Sequence, residues 1–230
     1  MGKRPAPKRT PPGLPHDVAA IRREIKAFYG TLDEHGTKIG SIQCGVYAFY
    51  DYDGEPIYVG QTYEGFSDRI GRHLTGQRSD AAAMSVLDPF EVAEIRVWPL
   101  DLAQLNKEEM QEYLDRAEFT LFQKVLAESK LGAVLNEKPP KPLPLVHLPQ
   151  SYSRRIIPEN IFPERKHPDV RIARRASTIA SLARVISERK VSPGLRRALL
   201  TQARRLEKLA AERLSDFAGI SENDEQTEKD

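Results

Sequence analysis

Helical and strand periodicities alternate along the first half of the chain. Apolar side chains recur at helical spacing over 16–30, which predicts a first helix. Two runs rich in Val, Ile, Tyr and Phe then flank Asp53-Gly54, a pair that is typical of a two-residue hairpin loop. Both faces of these runs are largely apolar. We therefore expect a β-hairpin that is covered on both sides.

The rest of the pattern predicts one more strand and several helices. A proline-rich segment interrupts the pattern after residue 138 and indicates a domain boundary. The predicted elements are a short helix at 66–74, a strand at 90–98, a long helix at 107–129, and two helices at 170–189 and 193–215.

Charge is unevenly distributed along the 230 residues, although the net charge is only +2. The first residues are basic and proline-rich, the last ten are acidic, and 165–213 is heavily basic. Basic surfaces on a nearly neutral chain suit a nucleic-acid partner, and solvated charged helices are the alternative interpretation.

A single cysteine, Cys44, excludes an intrachain disulfide and a cysteine-based zinc site. No apolar stretch approaches the roughly 20 residues that a membrane span needs. The N-terminal residues also lack the apolar core of a signal peptide. From these features we expect a soluble, cytoplasmic protein without a membrane partner.

The predicted hairpin brings two phenols together. With a loop at Asp53-Gly54, position 49 faces 58 and position 47 faces 60, so strand parity puts Tyr47 and Tyr58 on one face. Tyrosine is a favoured strand residue. Taken alone, the pair is better interpreted as packing than as chemistry.

Basic side chains border the buried stripe of the predicted helix at 66–74. Arg69 and His73 are four residues apart and share one helical face, and Arg72 lies nearby. A guanidinium and an imidazole at such an edge suit a phosphate clamp. An ordinary solvated helix flank is equally compatible with this spacing.

Glu118 interrupts the apolar face of the long helix between Leu114 and Phe122. A carboxylate turned toward a core is costly unless it is paired or bound to a metal. A salt bridge to Arg69 or Arg96 is one explanation, and a functional role is the one that we favour.

In order and spacing, these residues resemble the motifs of the GIY-YIG nuclease superfamily. The two signature segments are Gly45-Val46-Tyr47 and Tyr58-Val59-Gly60, and the resemblance covers 43–137. Valine replaces isoleucine in both segments, and Gln61 stands where many members carry lysine. The positions that match the family's site residues are Tyr47, Tyr58, Arg69, His73, Glu118 and Asn136.

The resemblance implies phosphodiester hydrolysis assisted by a divalent cation. Glu118 would bind Mg²⁺ or Mn²⁺, with water completing the shell. Tyr58 or Tyr47 would orient and deprotonate the attacking water, helped by a neighbouring cation such as Arg69 or His73. Which tyrosine is the base stays open.

The resemblance gives the remaining residues supporting roles. Arg69 would neutralise charge on the transition-state phosphate, with His73 sharing that task or moving a proton. Asn136 would fix domain geometry or contact a phosphate. The further candidates for nucleic-acid binding are Arg72, Arg171, Arg174, Arg175, Arg196 and Arg197.

Pattern and resemblance together predict an α+β fold, with a small three-stranded, mainly antiparallel sheet flanked by helices and a helical C-terminal extension. That extension either binds DNA or dimerises. The predicted segments are a disordered basic arm (1–14), a catalytic domain (15–138), a proline-rich linker (139–168), a basic helical hairpin (169–217) and a disordered acidic tail (218–230).

The function that follows is a metal-dependent DNA endonuclease of restriction, homing or mobile-element type, with assembly as a homodimer left open. A repair or structure-specific nuclease is the second hypothesis. A catalytically silent DNA-binding module is the third, and the presence of all six matching residues argues against it.

Overall fold

The computed structural model describes residues 16–74 and 86–227, without the side chains of 218–227. The predicted basic arm at 1–14 and the end of the acidic tail at 228–230 lie outside the described residues. Within the described part, no helix has both the length and the apolar character that are needed to cross a membrane.

A four-stranded antiparallel sheet forms the centre of the described structure, in the order β2–β1–β3–β4. Its presence confirms the predicted α+β class, although the prediction of three strands was one too few. The extra strand, β4, lies in the segment predicted as a linker. The strands are β1 (Gly45–Tyr50), β2 (Pro56–Thr62), β3 (Glu94–Pro99) and β4 (Tyr152–Arg155).

The β1–β2 hairpin has the predicted register but a longer loop. Tyr47 pairs with Gly60 and Phe49 with Tyr58, and the register then shifts at the end of β1. Five residues connect the strands because Asp51 organises the turn: its Oδ1 accepts hydrogen bonds from two backbone N–H groups of the loop, at 2.9 and 3.1 Å. The predicted two-residue loop was therefore wrong.

Among the described residues before position 130, three α-helices follow the predicted periodicity. The longest is preceded by Asn106, whose side chain accepts hydrogen bonds from the N–H groups of Glu108 and Glu109, while Glu109 bonds back to the N–H of Asn106. This capping box fixes where that helix begins. The helices are α1 (His16–Gly30), α2 (Phe66–Leu74) and α3 (Lys107–Glu128).

Both faces of the sheet are buried, as the apolar hairpin predicts. One face carries Tyr47 and Phe49 and packs against α2 and the C-terminal helices. The other carries Val46 and Trp98 and packs against the apolar face of α3. The sheet is thus held between two helical layers.

The C-terminal helices pack on the same core as Tyr47 and Phe49. They are α4 (Phe162–Lys166), α5 (Pro168–Glu188) and α6 (Pro193–Thr227), and the last of them extends into the segment predicted to be disordered. Leu182 and Leu195 join the apolar cluster that contains Tyr47. This part of the chain therefore covers one face of the sheet.

Buried arginines, rather than the apolar positions that recur at helical spacing, define the inner face of α5. Asp51 Oδ2 accepts hydrogen bonds from Arg171 and Arg175 at 3.0 Å and from Arg205 at 2.6 Å. Glu91 Oε2 accepts from Arg171 at 3.4 Å and from Arg175 at 3.1 Å. We call Asp51, Glu91, Arg171, Arg175 and Arg205 the turn network, because it holds α5 and α6 to the β1–β2 turn.

The turn network corrects two predictions about the basic helices. Arg171 and Arg175 are 1% and 5% exposed, so their guanidinium groups lie inside the protein and not on a DNA-binding surface. Arg174, half-buried, donates to Glu91 Oε1 at 2.8 Å. Helical periodicity places Ala176 and Ala183 on the apolar face of α5, but both are exposed because the carboxylates attract the arginine side of the helix.

Candidate active site

Two glycines of the signature segments make room for aromatic side chains. A Cβ on Gly60 would lie 2.5 Å from Tyr47 Oη, and a Cβ on Gly45 would lie 2.5 Å from the carbonyl oxygen of Trp98 while colliding with the ring of Phe66. Such distances are far below van der Waals contact. The glycines therefore let Tyr47 and Phe66 pack directly against the strand backbones.

Tyr47 is completely buried and held by residues of α2. Its Oη shares a hydrogen bond with His73 Nε2 over 2.9 Å, and His73 is 5% exposed. Burial raises the pKa of Tyr47 well above its usual value, with a further rise from Tyr58, while Arg69 opposes the shift through its charge and a hydrogen bond. At neutral pH Tyr47 is therefore a neutral phenol.

Tyr58 lies beside the same histidine but reaches the protein surface. Its ring stacks on Phe49 with centroids 5.9 Å apart and lies 4.9 Å from the imidazole of His73. The rings of Tyr47 and Tyr58 are 6.3 Å apart. The two phenols thus share one aromatic cluster, and only that of Tyr58 is partly accessible to solvent.

Arg69 is the positive charge of this cluster. Burial lowers its pKa, but the neighbouring Tyr47, Tyr58 and Glu64 raise it, and the net shift is upward, so the guanidinium stays charged. Its Nε–H is buried and has no hydrogen-bond partner among the residues that the structure describes. A buried donor of this kind is costly unless a ligand uses it.

Glu118 of α3 is a partly buried carboxylate near Arg69. Burial raises its pKa to about 7, and Asp115 adds to the rise, whereas a hydrogen bond from Gln61 and the charge of Arg69 lower it. Gln61 Nε2 donates to Glu118 Oε2 over 3.1 Å. The carboxylate is therefore half protonated near neutral pH in the absence of a cation.

Asn136 supports the edge strand on which Tyr58 is located. Its Oδ1 accepts from the N–H of Val59 at 3.1 Å, and its Nδ2 donates to the carbonyl of Val59 at 2.8 Å. Leu135 N–H donates to the carbonyl of Ile57 at 2.7 Å. The backbone on both sides of Tyr58 is thus fixed by the segment that contains Asn136.

Comparison of the sequence with models of protein families identifies one domain. Residues 43–111 match the model of the GIY-YIG catalytic domain. The chain therefore contains a GIY-YIG catalytic domain. No curated protein and no solved structure matches it. At the level of the superfamily this domain indicates an endonuclease and implies DNA as the substrate, and members of the superfamily are generally dependent on divalent metals.

The matched segment of the GIY-YIG domain ends before two of the residues predicted for the site. Glu118 and Asn136 lie outside 43–111, and the fold brings both of them to β2 beside the matched residues. The structure thus assembles all of the predicted catalytic residues around β2 and α2.

Two more polar residues of the GIY-YIG domain, Gln61 and Asp115, lie beside Glu118. The predicted site did not include them. Gln61 Nε2 also donates to Asp115 Oδ1 over 2.7 Å. Gln61 was noted in the sequence as a departure from lysine, but Asp115 was not noted at all. Its signal was its position one helical turn before Glu118 on the same helix.

The remaining candidates for nucleic-acid binding lie at the surface. Arg72 is half-exposed and pairs with Glu64. Arg196 and Arg197 are exposed on α6, and Arg197 Nη2 donates to the carbonyl of Glu137 at 3.1 Å. These side chains keep the exposure that a phosphate contact requires, whereas Arg171 and Arg175 do not.

The donor set suits a cation that keeps most of its water. Within residues 16–74 and 86–227, no group of three or more His, Cys, Asp or Glu side chains has the geometry to hold a metal ion. Glu118 offers one desolvated carboxylate with a pKa of about 7, which a bound cation would lower. Mg²⁺ commonly binds through one or two carboxylates plus water and substrate phosphate.

Proposed function

We propose that this protein is a DNA endonuclease that depends on a divalent cation held by Glu118. The observation that carries the proposal is a carboxylate with a pKa raised to about 7 in electrostatic contact with Arg69, beside two tyrosines and a histidine. Groups whose pKa is strongly shifted, gathered beside a buried donor that has no partner among the described residues, favour catalysis over packing.

Glu118 would hold Mg²⁺ or Mn²⁺, which prefer oxygen ligands. When bound, the cation supplies positive charge to a phosphate oxygen and to the leaving 3′ oxygen. Ionised Glu118 provides the negative charge that retains it. The other residues bind and orient the phosphodiester and the attacking water.

Tyr58 is the residue that orients and deprotonates the attacking water. It is partly accessible, whereas Tyr47 is enclosed and its pKa is raised. A phenol, with an ordinary pKa near 10, needs a neighbouring cation to act as a base at neutral pH. Arg69 supplies that charge. Tyr47 acts as a positioning residue that holds His73 through its 2.9 Å hydrogen bond.

Arg69 binds the scissile phosphate. Its buried Nε–H has no partner among the described residues, and so a phosphate oxygen would satisfy a donor that is otherwise left unpaired. A guanidinium fixed in advance stabilises the extra negative charge of the transition state. His73 supports the same phosphate or moves a proton, and Asn136 positions Tyr58 through the backbone of Val59.

The biological class proposed is a restriction, homing or mobile-element nuclease acting in the cytoplasm. The test is cleavage of intact supercoiled plasmid, nicked duplex and branched DNA by the full chain, each with Mg²⁺, with Mn²⁺ and with EDTA. The proposal requires cation-dependent cutting of intact plasmid, and discrete fragments would indicate sequence specificity. Preference for branched or nicked DNA would instead support a repair enzyme.

The number of DNA strands that are cut together tests the proposed homodimer in the same experiment. One active site cuts one strand, so direct linearisation of plasmid requires two copies acting together, and slow conversion through a nicked intermediate indicates single sites. Binding of DNA without any cutting, by well-folded protein in either cation, would refute the nuclease proposal.

A further inference from the structure

One amide group joins two carboxylates on α3. Gln61 Nε2 lies 2.7 Å from Asp115 Oδ1 and 3.1 Å from Glu118 Oε2. Gln61 is on the edge strand β2, between Gly60 of the signature segment and Thr62. Its side chain therefore ties the strand of the signature segment directly to the carboxylate that we propose as the cation ligand.

The oxygen atom of the same amide accepts no hydrogen bond from the described residues. Gln61 Oε1 is buried and has no hydrogen-bond partner among the residues that the structure describes. A buried amide oxygen without a donor is destabilising, and in native proteins such an atom usually meets water or a ligand. The site thus has an acceptor available beside two carboxylates.

We propose that Gln61 and Asp115 are positioning residues for the divalent cation at Glu118. The inference rests on the function proposed above. Gln61 fixes Glu118 Oε2 through its N–H₂ group, and Gln61 Oε1 together with the Asp115 carboxylate accepts hydrogen bonds from the water that the cation retains.

The chemistry of hydrated cations supports this assignment. Mg²⁺ and Mn²⁺ held by one carboxylate keep several waters, and each water donates hydrogen bonds that require acceptors nearby. Arg69, the basic residue in electrostatic contact with Glu118, cannot provide them, since guanidinium has only donors. Asp115 and Gln61 Oε1 provide acceptors next to Glu118.

Gln111 provides a matched control on the same helix. Its Nε2 donates to the same oxygen, Asp115 Oδ1, at the same 2.7 Å, but from the exposed side of α3. Removing Gln111 takes a hydrogen bond from Asp115 without taking an acceptor from the cation's surroundings. If the Asp115 carboxylate had only a structural role, replacing Gln61 and replacing Gln111 would change Mn²⁺ affinity by similar amounts.

The test measures Mn²⁺ binding by electron paramagnetic resonance on the full chain. Asp115→Asn and Gln61→Met should each weaken Mn²⁺ affinity by about 10- to 100-fold, as is usual for partners around a metal's ligands. Gln111→Ala should stay within about twofold of the unmodified protein. Plasmid cleavage by Asp115→Asn should recover as the Mn²⁺ concentration is raised, and thermal unfolding in EDTA checks that each variant is folded.

Glu118→Gln separates this inference from the proposed function. If Glu118→Gln loses Mn²⁺ binding while Asp115→Asn binds as well as Gln111→Ala does, Glu118 is the ligand and the inference about Asp115 and Gln61 is wrong. If Glu118→Gln binds Mn²⁺ normally and cleaves DNA, the part of the proposed function that makes Glu118 the cation ligand fails. A loss of affinity in Asp115→Asn that excess Mn²⁺ does not overcome would also overturn the inference.

Discussion

Two polar clusters border the β1–β2 hairpin, and they differ in how fully their hydrogen-bonding groups are used. In the turn network a single oxygen of Asp51 accepts from three arginines, and its other oxygen accepts from the turn backbone. Around β2 and α2, by contrast, Arg69 Nε and Gln61 Oε1 have no partner among the described residues. Both clusters are largely buried, but the second leaves a donor and an acceptor unused close to the Glu118 carboxylate.

The comparison separates two uses of buried charge. The charges of the turn network pair with one another and hold helices to a turn; among the described residues at its border, Arg174 leaves buried nitrogen atoms unpaired. The cluster at Glu118 holds a carboxylate and a phenol whose pKa values are raised by burial. Polar groups left unsatisfied near shifted pKa values indicate the functional cluster.

The largest effect on stability is expected from Asp51→Asn. The amide keeps the turn's acceptor but leaves Arg171, Arg175 and Arg205 without their shared charge. Breaking such a buried group by removing one partner costs about 3–5 kcal/mol. We expect that loss in the free energy of unfolding, measured with urea.

Glu159→Gln is the matched control for Asp51→Asn, since it removes an exposed carboxylate that pairs with Arg155. Surface pairs contribute about 0–1 kcal/mol. If both variants changed the free energy of unfolding equally, the turn network would not have the structural role that we assign to it.

Next in size is the effect of Arg69→Lys on cleavage. Lysine keeps the charge but removes the planar donors, so we expect single-turnover cleavage to fall by about 10²–10³-fold, the usual cost of losing one preorganised donor. The free energy of unfolding should change little. A variant that cleaves at the normal rate would show that the unpaired Nε–H is not a phosphate donor.

A smaller effect should appear in the pH dependence of stability without metal. Because the pKa of Glu118 is raised from 4.5 to about 7, the folded protein binds more protons than the unfolded chain between these values. Stability in EDTA should therefore fall, by about 1–3 kcal/mol, as pH rises from 4.5 through 7. Mn²⁺ affinity should rise over the same range and level off above it.

Urea unfolding of the unmodified protein and of Glu118→Gln at a series of pH values checks this dependence. The decline should be absent from Glu118→Gln, whose side chain does not titrate. An equal decline in both proteins would assign the effect to another group.

The smallest effect is expected for Asn136→Ala. Two hydrogen bonds to the backbone of Val59 are lost, at about 0.5–1.5 kcal/mol each. Cleavage should fall by less than about tenfold, because Asn136 acts only through the position of Tyr58. Single-turnover rates with urea unfolding test both expectations, and a loss as large as that of Arg69→Lys would give Asn136 a direct catalytic role.

Local patterns predicted most of the elements, and the family resemblance supplied the candidate site. Strand parity gave the pairing of Phe49 with Tyr58, and helical periodicity showed that Glu118 interrupts an apolar face. Both predictions depend only on residues within one or two neighbouring secondary-structure elements. The assembly of these residues around β2 followed from the resemblance and is now seen in the fold.

The features that were missed depend on contacts between distant segments. Asp51 meets Arg171 across 120 positions, and Gln61 meets Asp115 across 54. Periodicity assigns arginine to the outside of a helix and so cannot anticipate carboxylates that attract it inward. The fourth strand was not predicted for a different reason. Its four residues alternate between half-buried and exposed and carry no apolar repeat.

The most direct test of the central claim is the rate of plasmid nicking in saturating Mg²⁺ by Glu118→Gln and by Glu112→Gln. Glu112 is an exposed carboxylate of the same helix. The two substitutions therefore make the same chemical change at different positions of α3. We predict that Glu118→Gln loses cleavage by about 10³-fold or more while Glu112→Gln cleaves as the unmodified protein does. Equal cleavage by the two folded variants would contradict a catalytic site built on Glu118.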